Sequence, residues 1–104
     1  MAIISVPLDK AYRLLNIGPT TMVSAKADGI ENVMSVAWSC ALDYGALPKV
    51  TTVLDKQAFT RGLVEKSGYF AIQIPVAAQG ELVMRMGSES RHTNSHKLDG
   101  VALF

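Results

Sequence analysis

Alternation of large and small side chains is clearest in residues 32–39, Asn-Val-Met-Ser-Val-Ala-Trp-Ser. Successive side chains of a β-strand point to opposite faces of the sheet, so this pattern predicts a strand with two unlike faces. The large face comprises Met34, Val36 and Trp38. The small face comprises Val33, Ser35, Ala37 and Ser39. Asp28-Gly29 precedes the segment and is a turn signal, because glycine readily adopts positive φ. Residues 20–39 are therefore predicted to form a β-hairpin.

Shorter patterns predict two or three helices between further strands. Apolar residues recur at helical spacing over residues 8–15, and Gly18-Pro19 ends that element. Further strands are predicted at residues 50–54 and 69–74. One helix is predicted from residue 58 or 60 to residue 66, with Gly68 near its C′ position, and another at residues 77–86. A polar loop is predicted at residues 88–97 and an apolar element from residue 98. This order fits a small antiparallel barrel or an α+β sandwich better than a doubly wound fold. The few strands leave an edge that could pair with another chain or lie under a helix.

Composition narrows the class of protein. Of the 104 residues, 49% are apolar and 18% are charged, which excludes a disordered chain. A net charge of +1 without a basic run gives no reason to expect nucleic acid or an anionic membrane as partner. A single cysteine excludes an internal disulfide. With no signal peptide and no long apolar stretch, a soluble cytoplasmic protein is expected.

The two faces of residues 32–39 suggest different roles. A flat ligand needs close approach to the backbone and a few hydroxyl or amide partners. Ser35, Ala37 and Ser39 would permit that approach, and Asn32 could supply an amide. The alternative is that the small face is the solvent-facing side of a half-buried strand. On the large face, Trp38 and Met34 are expected to pack in the core.

Residues 54–61, Leu-Asp-Lys-Gln-Ala-Phe-Thr-Arg, link a predicted strand to a predicted helix start. The unpaired N–H groups and partial positive charge of a helix N-terminus can bind an anion. Lys56, Thr60 and Arg61 would add a point charge, a hydroxyl and a bidentate guanidinium, a set that suits a phosphate monoester. The alternative is a Thr60 N-cap beside two solvated basic residues.

The other reactive side chains form no recognisable catalytic or metal-binding motif. His92 and His96 are four residues apart but lack an HExxH context, so an exposed loop is expected there rather than a metal site. Cys40 is expected to be a buried, unreactive thiol.

In their order, these segments resemble the flavin reductase-like, FMN-binding split-barrel family, which includes flavoredoxins. The resemblance runs from residue 12 to residue 97, and residues 32–38, Asn-Val-Met-Ser-Val-Ala-Trp, are its most specific part. Residues 88–97 depart from the usual Ser-Gly-Arg-Asp-x-Asp-Lys pattern, and family members usually continue well beyond this length.

The resemblance implies a mainly β fold with short helices, a split β-barrel that 104 residues leave incomplete. It also implies a homodimer with FMN in a groove near the dimer interface. The isoalloxazine and ribityl chain would lie along Ser35, Ala37, Trp38, Ser39 and Cys40. The phosphate would be surrounded by Asp55, Lys56, Phe59 and Thr60, and the loop around Ser88 and Arg91 would help to close the site.

On this basis residues 1–104 are expected to be a single flavin reductase-like domain, the N-terminal portion of the usual family length. The expected function is an FMN-binding oxidoreductase that passes electrons from NAD(P)H through FMN to flavin or another acceptor. The flavin would carry the redox chemistry, so no catalytic side chain is required. Two alternatives stay open: a flavin-binding module without turnover, and a structural remnant that oligomerises without a cofactor.

Overall fold

The structure is a computed structural model that describes residues 4–15 and 17–101. Its strands are β1 (Thr21–Ala27), β2 (Ile30–Val36), β3 (Ser39–Asp43), β4 (Lys49–Thr52) and β5 (Ala71–Gln73). Its α-helices are α1 (Phe59–Ser67) and α2 (Gly80–Ser88). Its 3-10 helices span Leu8–Leu14 and Ala77–Gln79. The predicted first helix is thus a 3-10 helix. The apolar element predicted from residue 98 consists of turns through residue 100, and residues 102–104 lie outside the described residues.

The predicted hairpin is confirmed. β1 and β2 pair antiparallel, with Thr21 opposite Val36 and Ala27 opposite Ile30. The turn residues Asp28 and Gly29 have φ values of 53° and 76°, the positive angles that a tight two-residue hairpin turn requires. β5 pairs with the other side of β1, so the strand order is β2-β1-β5 and β2 is an edge strand of this sheet.

The two α-helices cover opposite faces of this three-stranded sheet. Thr60 of α1 accepts a hydrogen bond from Asn32, whereas Met86 of α2 packs against Met22 and Val33. Asn32 and Val33 are adjacent in β2, so their side chains point to opposite faces. The sheet is therefore the middle layer between the two helices.

The small face of β2 lies under α2, so its interpretation as a solvent-facing side is wrong. Val33 is buried and Ser35 is half-buried. The Ser35 hydroxyl donates to the Val83 carbonyl oxygen of α2. A Cβ atom placed on Gly87 would lie only 3.3 Å from the Ser35 Cβ atom. Small residues at both positions therefore permit the close approach of helix and strand.

The strand predicted through residue 39 is interrupted by a bend. β2 ends at Val36, and β3 begins at Ser39 after the bend at Ala37 and Trp38. Because the bend ends the alternation, Trp38 turns outward and is 72% exposed. The prediction that Trp38 packs in the core is therefore wrong.

Hydroxyl groups join the two sheets beside this bend. The Thr21 hydroxyl donates to the Val36 carbonyl oxygen at 2.9 Å. The Ser39 hydroxyl lies 3.2 Å from that of Thr21 and 2.9 Å from that of Thr52. Ser39 is 4% exposed, so its polar oxygen is buried with partners in both β1 and β4. This arrangement fixes where the second sheet begins relative to the first.

β3 and β4 form a separate two-stranded sheet with a bulge between Ala41 and Asp43. It carries what we call the apolar hairpin surface, formed by the exposed side chains Trp38, Leu42, Tyr44, Leu47, Val50 and Val53. Cys40 of β3 is also exposed, so the prediction of a buried thiol is wrong. The Tyr44 ring lies 5.6 Å from the ring of Tyr12, which connects the hairpin to the first 3-10 helix.

Helix α1 ends as predicted, at Gly68, whose φ of 77° lies in the left-handed region that favours glycine. Across residues 4–15 and 17–101, no helix is long and apolar enough to cross a membrane.

Candidate functional site

A cleft of about 140 Å³ lies at the free edge of β2, between the start of α1 and the segment that follows α2. We call it the edge cleft. Its polar and charged lining residues are Asn32, Ser35, Thr60, Glu89, Ser90, Arg91 and Lys97, and its apolar wall includes Met34, Phe59 and Met86. It therefore brings together residues that are far apart in the sequence.

Helix α1 begins in the wall of the edge cleft without a side-chain cap. Ala58 occupies the N-cap position and has extended backbone angles. Thr60 is fully buried, and its Oγ1 accepts a hydrogen bond from Asn32 Nδ2 at 3.0 Å. The interpretation of Thr60 as an N-cap is therefore wrong. An uncapped helix start leaves backbone N–H groups that can donate to an anion.

The charges around the edge cleft favour an anionic ligand. Arg91 and Lys97 are its cations, and Glu89 is its carboxylate. Glu89 is already engaged, because its Oε1 lies 3.2 Å from Arg85 Nε. The Arg91 guanidinium donates to the Ser95 carbonyl oxygen through Nη1, and a guanidinium has five N–H donors in all. Arg91 can therefore hold its own loop and still offer donors to a ligand.

Lys97 is a buried cation that the sequence analysis did not single out. Its Nζ donates to the Val33 carbonyl oxygen at 2.6 Å and to the Met86 carbonyl oxygen at 3.2 Å. Burial lowers the pKa of Lys97, and the nearby Glu89 carboxylate opposes that shift. The ammonium group thereby ties the loop to the edge of β2 and to the end of α2.

The loop that follows α2 is also tied to the start of α1. His92 Nε2 lies 2.9 Å from the Gln57 carbonyl oxygen, and the His92 ring meets the Phe59 ring edge-on at 5.1 Å. His96 instead lies 3.0 Å from Asp99 through its Nδ1. In the part of the chain that the structure describes, no three His, Cys, Asp or Glu side chains are grouped as they would be around a metal ion.

The structure brings four of the eleven predicted site residues together. Ser35, Phe59, Thr60 and Arg91 line the edge cleft. The other seven lie outside it: Ala37 and Trp38 at the bend, Ser39 and Cys40 in β3, Asp55 and Lys56 in the turn before α1, and Ser88 at the end of α2.

The turn before α1 is held by its own contacts. Asp55 Oδ1 accepts the Gln57 backbone N–H at 2.8 Å, and Lys56 is exposed. Arg61, considered above as a phosphate ligand, donates to the Leu54 carbonyl oxygen at 3.1 Å and pairs with Glu65 at 2.9 Å. Arg61 therefore braces the strand-to-helix connection and does not line the edge cleft.

A larger groove of about 350 Å³ lies elsewhere on the sheet, lined by residues of β1, β2 and the segment 67–71. It contains none of the eleven predicted site residues. Its charged residues, Lys26 and Glu31, are cross-strand neighbours of opposite sign. Its walls therefore offer no set of like charges, and the edge cleft is the better candidate for an anion.

Comparison with known proteins identifies the family. The profile of the flavin reductase like domain matches residues 15–103. The chain belongs to this family. A crystal structure described as an FMN-binding domain of flavin reductases-like enzyme from Shewanella baltica OS155 shares 55% sequence identity and a TM-score of 0.84. That match covers 89% of this chain and 48% of the other.

Two further proteins are similar over part of their length. The uncharacterized protein YddH of Escherichia coli strain K12 is 37% identical over 89 residues, which are 84% of this chain and 47% of YddH. The FMN-binding protein of Thermus thermophilus, solved with bound 1-cyclohex-2-enone, shares the fold at 22% identity and a TM-score of 0.70, over 92% of this chain and 53% of the other. The chain thus spans about half the length of these relatives, and its fold is that of FMN-binding flavin reductase-like proteins.

The described residues fit one end of FMN. The uncapped start of α1 and the cations Arg91 and Lys97 suit a phosphate group. One buried side-chain atom, Asn32 Oδ1, has no hydrogen-bond partner among the described residues and could accept from a ligand. At about 140 Å³ the edge cleft is smaller than the roughly 300–1,000 Å³ of a site that encloses a drug-sized ligand. It can therefore take the phosphate and the adjoining chain but not the whole flavin.

Proposed function

We propose that this chain binds FMN and places the phosphate of the cofactor in the edge cleft. The observation that carries this proposal is the convergence of an uncapped helix start with Arg91 and Lys97 at one cleft. Thr60 and Phe59 would then lie beside the phosphate, and Ser90 would add a hydroxyl. Lys56 and Asp55, in the preceding turn, and Ser88, at the end of α2, would flank this end of the site.

The flavin ring would lie outside the edge cleft, along the bend and the start of β3. Ala37, Trp38 and Cys40 are exposed there, and Trp38 offers an aromatic face. Ser39 is buried among hydroxyl groups, so its contribution would be to hold the bend in place. In this arrangement the chain supplies binding and orientation, and FMN, when bound, supplies the capacity to accept and pass on electrons.

We further propose that these 104 residues act as one flavin-binding domain, the N-terminal part of an oxidoreductase of the flavin reductase type. Membership of the family supports the further proposal that NAD(P)H is the electron donor and that a flavin or another compound is the acceptor. The described residues include no group that we can assign to nicotinamide. A cytoplasmic location likewise stays a prediction from the sequence.

The apolar hairpin surface favours assembly of this chain into a homodimer. A two-stranded sheet is marginally stable in water by itself, yet β3, β4 and the residues next to them expose six large apolar side chains. Large apolar side chains exposed in one short segment favour an interaction site there. The same observation supports a second function, an oligomer without catalysis. Mass measured by light scattering should give twice the chain mass, and a monomer at micromolar concentration would contradict the homodimer.

Comparing FMN with riboflavin, which lacks only the phosphate, tests the phosphate site. Arg91→Gln should weaken FMN roughly tenfold or more, because a charge-assisted hydrogen bond contributes about 1.5–3 kcal/mol. Riboflavin should bind the variant and the unmodified chain alike. Lys66→Gln is the matched control, since Lys66 is an exposed cation at the opposite end of α1. Equal losses for both flavins in Arg91→Gln would show that the edge cleft does not hold the phosphate.

A further inference from the structure

Asn32 is a buried amide with one end bonded and the other end free. Its side chain lies on the face of β2 that α1 covers and is 3% exposed. Nδ2 donates to Thr60 Oγ1, whereas Oδ1 has no partner among the residues that the structure describes. Buried polar atoms are nearly always hydrogen-bonded, and an unmade bond costs free energy. The arrangement therefore needs a reason beyond the link to Thr60.

One end of the Asn32 amide has no hydrogen-bond partner in either orientation of the amide group. If the amide were rotated by 180°, Oδ1 would accept from the Thr60 hydroxyl and Nδ2 would be left without a partner. Either orientation satisfies Thr60 with one end of Asn32 and leaves the other end without a partner. A hydroxyl group, which both donates and accepts, could bond that end in both cases.

The position of Asn32 connects this free end to the proposed phosphate site. Asn32 and Thr60 both line the edge cleft, and Thr60 belongs to the first turn of α1. Asn32 also lines the larger groove, but Thr60, to which its other end is bonded, lines only the edge cleft. A ligand whose phosphate lies at the start of α1 would have its next atoms close to Asn32.

We propose that Asn32 is a ligand-positioning residue that hydrogen-bonds a hydroxyl of the polyol chain next to the phosphate. This inference rests on the proposed binding of FMN, whose phosphate is carried by a ribityl chain. Asn32 would then set how far the phosphate enters the edge cleft, since the same side chain is braced by Thr60. Phosphate and polyol would be recognised by neighbouring but separate groups, Arg91 for the former and Asn32 for the latter.

Three flavins separate these two contacts. FMN has the phosphate and the ribityl hydroxyls, riboflavin has only the hydroxyls, and lumiflavin has neither. Asn32→Leu should weaken FMN and riboflavin by the same factor, about fivefold to tenfold, as expected for one neutral hydrogen bond. Lumiflavin should bind the variant and the unmodified chain equally. Affinities are measured by quenching of flavin fluorescence, which requires no turnover.

Two variants separate the ligand contact from the structural link. Thr60→Val keeps the shape of the side chain but removes the oxygen that Asn32 bonds, so its loss of thermal stability measures the structural link by itself. Asn32→Asp keeps the shape of the side chain and a hydrogen-bond acceptor, so it is the variant to use for this test if Asn32→Leu does not fold. Its negative charge should weaken FMN several-fold more than riboflavin, because it would lie next to the phosphate.

The outcomes distinguish this inference from the proposed function. If the unmodified chain binds no FMN, the proposed function itself fails. If the unmodified chain binds FMN and folded Asn32→Leu binds FMN and riboflavin within twofold of it, only the role of Asn32 is overturned. Equal losses of FMN and riboflavin affinity in Asn32→Asp would also overturn it. Shifts of the Asn32 side-chain amide signals in NMR spectra on adding riboflavin, but not lumiflavin, would support it without any substitution.

Discussion

Replacing Lys97 with methionine should destabilise the fold strongly although it leaves the apolar stem of the side chain almost unchanged. Lys97 is among the most deeply buried side chains described, at 1% exposure. Its ammonium group bonds the carbonyl oxygens of Val33 and Met86, and its own carbonyl oxygen accepts from Arg85 Nη2 at 2.9 Å. Methionine removes the ammonium donors while the main-chain contact to Arg85 can persist.

The magnitude follows from the two carbonyl groups left behind. Val33 and Met86 are each 1% exposed, so water cannot readily replace the lost donor. An unsatisfied buried acceptor costs about 1–3 kcal/mol, which gives roughly 2–6 kcal/mol for two. The buried ammonium group itself carries a desolvation cost, and removing it offsets part of the loss. The lower end of this range therefore applies. We expect a loss of about 2 kcal/mol, equivalent to about 8–16 °C in Tm for a domain of this size.

Urea and thermal unfolding followed by circular dichroism measure this loss. Lys66→Met is the matched control, since Lys66 is exposed and its 4.0 Å pair with Asp28 should contribute little. Its unfolding free energy should stay within about 0.5 kcal/mol of the unmodified chain. If Lys97→Met were equally harmless, the ammonium group would not be the tie between the loop, β2 and α2, and this reasoning would be refuted.

Three further predictions follow from single contacts. Burial lowers the pKa of Lys97 in the folded chain, so between that pKa and the ordinary value of about 10.4 the unfolded chain binds more protons. The unfolding free energy of the unmodified chain should therefore rise relative to that of Lys97→Met as pH increases toward 10.4, and parallel pH profiles would contradict this. Gly68→Ala should lower the unfolding free energy by about 1 kcal/mol, because φ is 77° at this position. Gly62→Ala should raise the unfolding free energy by about 0.5–1 kcal/mol, because Gly62 lies inside α1 and has open space around its Cβ position. Urea unfolding measures both changes. The reverse order of the two glycine variants would show that the backbone of α1 is not as described. Ser39→Ala should cost about 1–2 kcal/mol in the same assay, because it removes the hydroxyl that joins Thr21 and Thr52, and an unchanged midpoint would rule out that joint.

Local signals in the sequence predicted the local structure well. The Asp28-Gly29 turn and the alternation around it were enough to predict the β1–β2 hairpin, because both the turn geometry and the pairing register depend on neighbouring residues. Gly68 likewise marked the end of α1 through its own backbone preference. Resemblance to the family predicted the fold, which no short pattern determines, and gave FMN as the expected cofactor.

Long-range contacts explain what the sequence did not predict. The alternation continues through Trp38, but the chain bends there, and Ser39 bonds hydroxyl groups of two other strands. Thr60 has the residue type of an N-cap, yet its oxygen is used by Asn32, 28 positions earlier. From the sequence alone Lys97 would be expected to be exposed to solvent. It is instead buried against Val33, 64 positions away, whose carbonyl oxygen it bonds. No local pattern carries information of this kind.

Retention of flavin by the purified chain tests the central claim most directly. The protein is mixed with excess FMN, passed through a desalting column and examined by visible absorption spectroscopy. The account predicts that the flavin band stays with the protein at about one flavin per chain, and that Arg91→Gln retains less. A colourless protein that is folded by circular dichroism yet retains no FMN would contradict it.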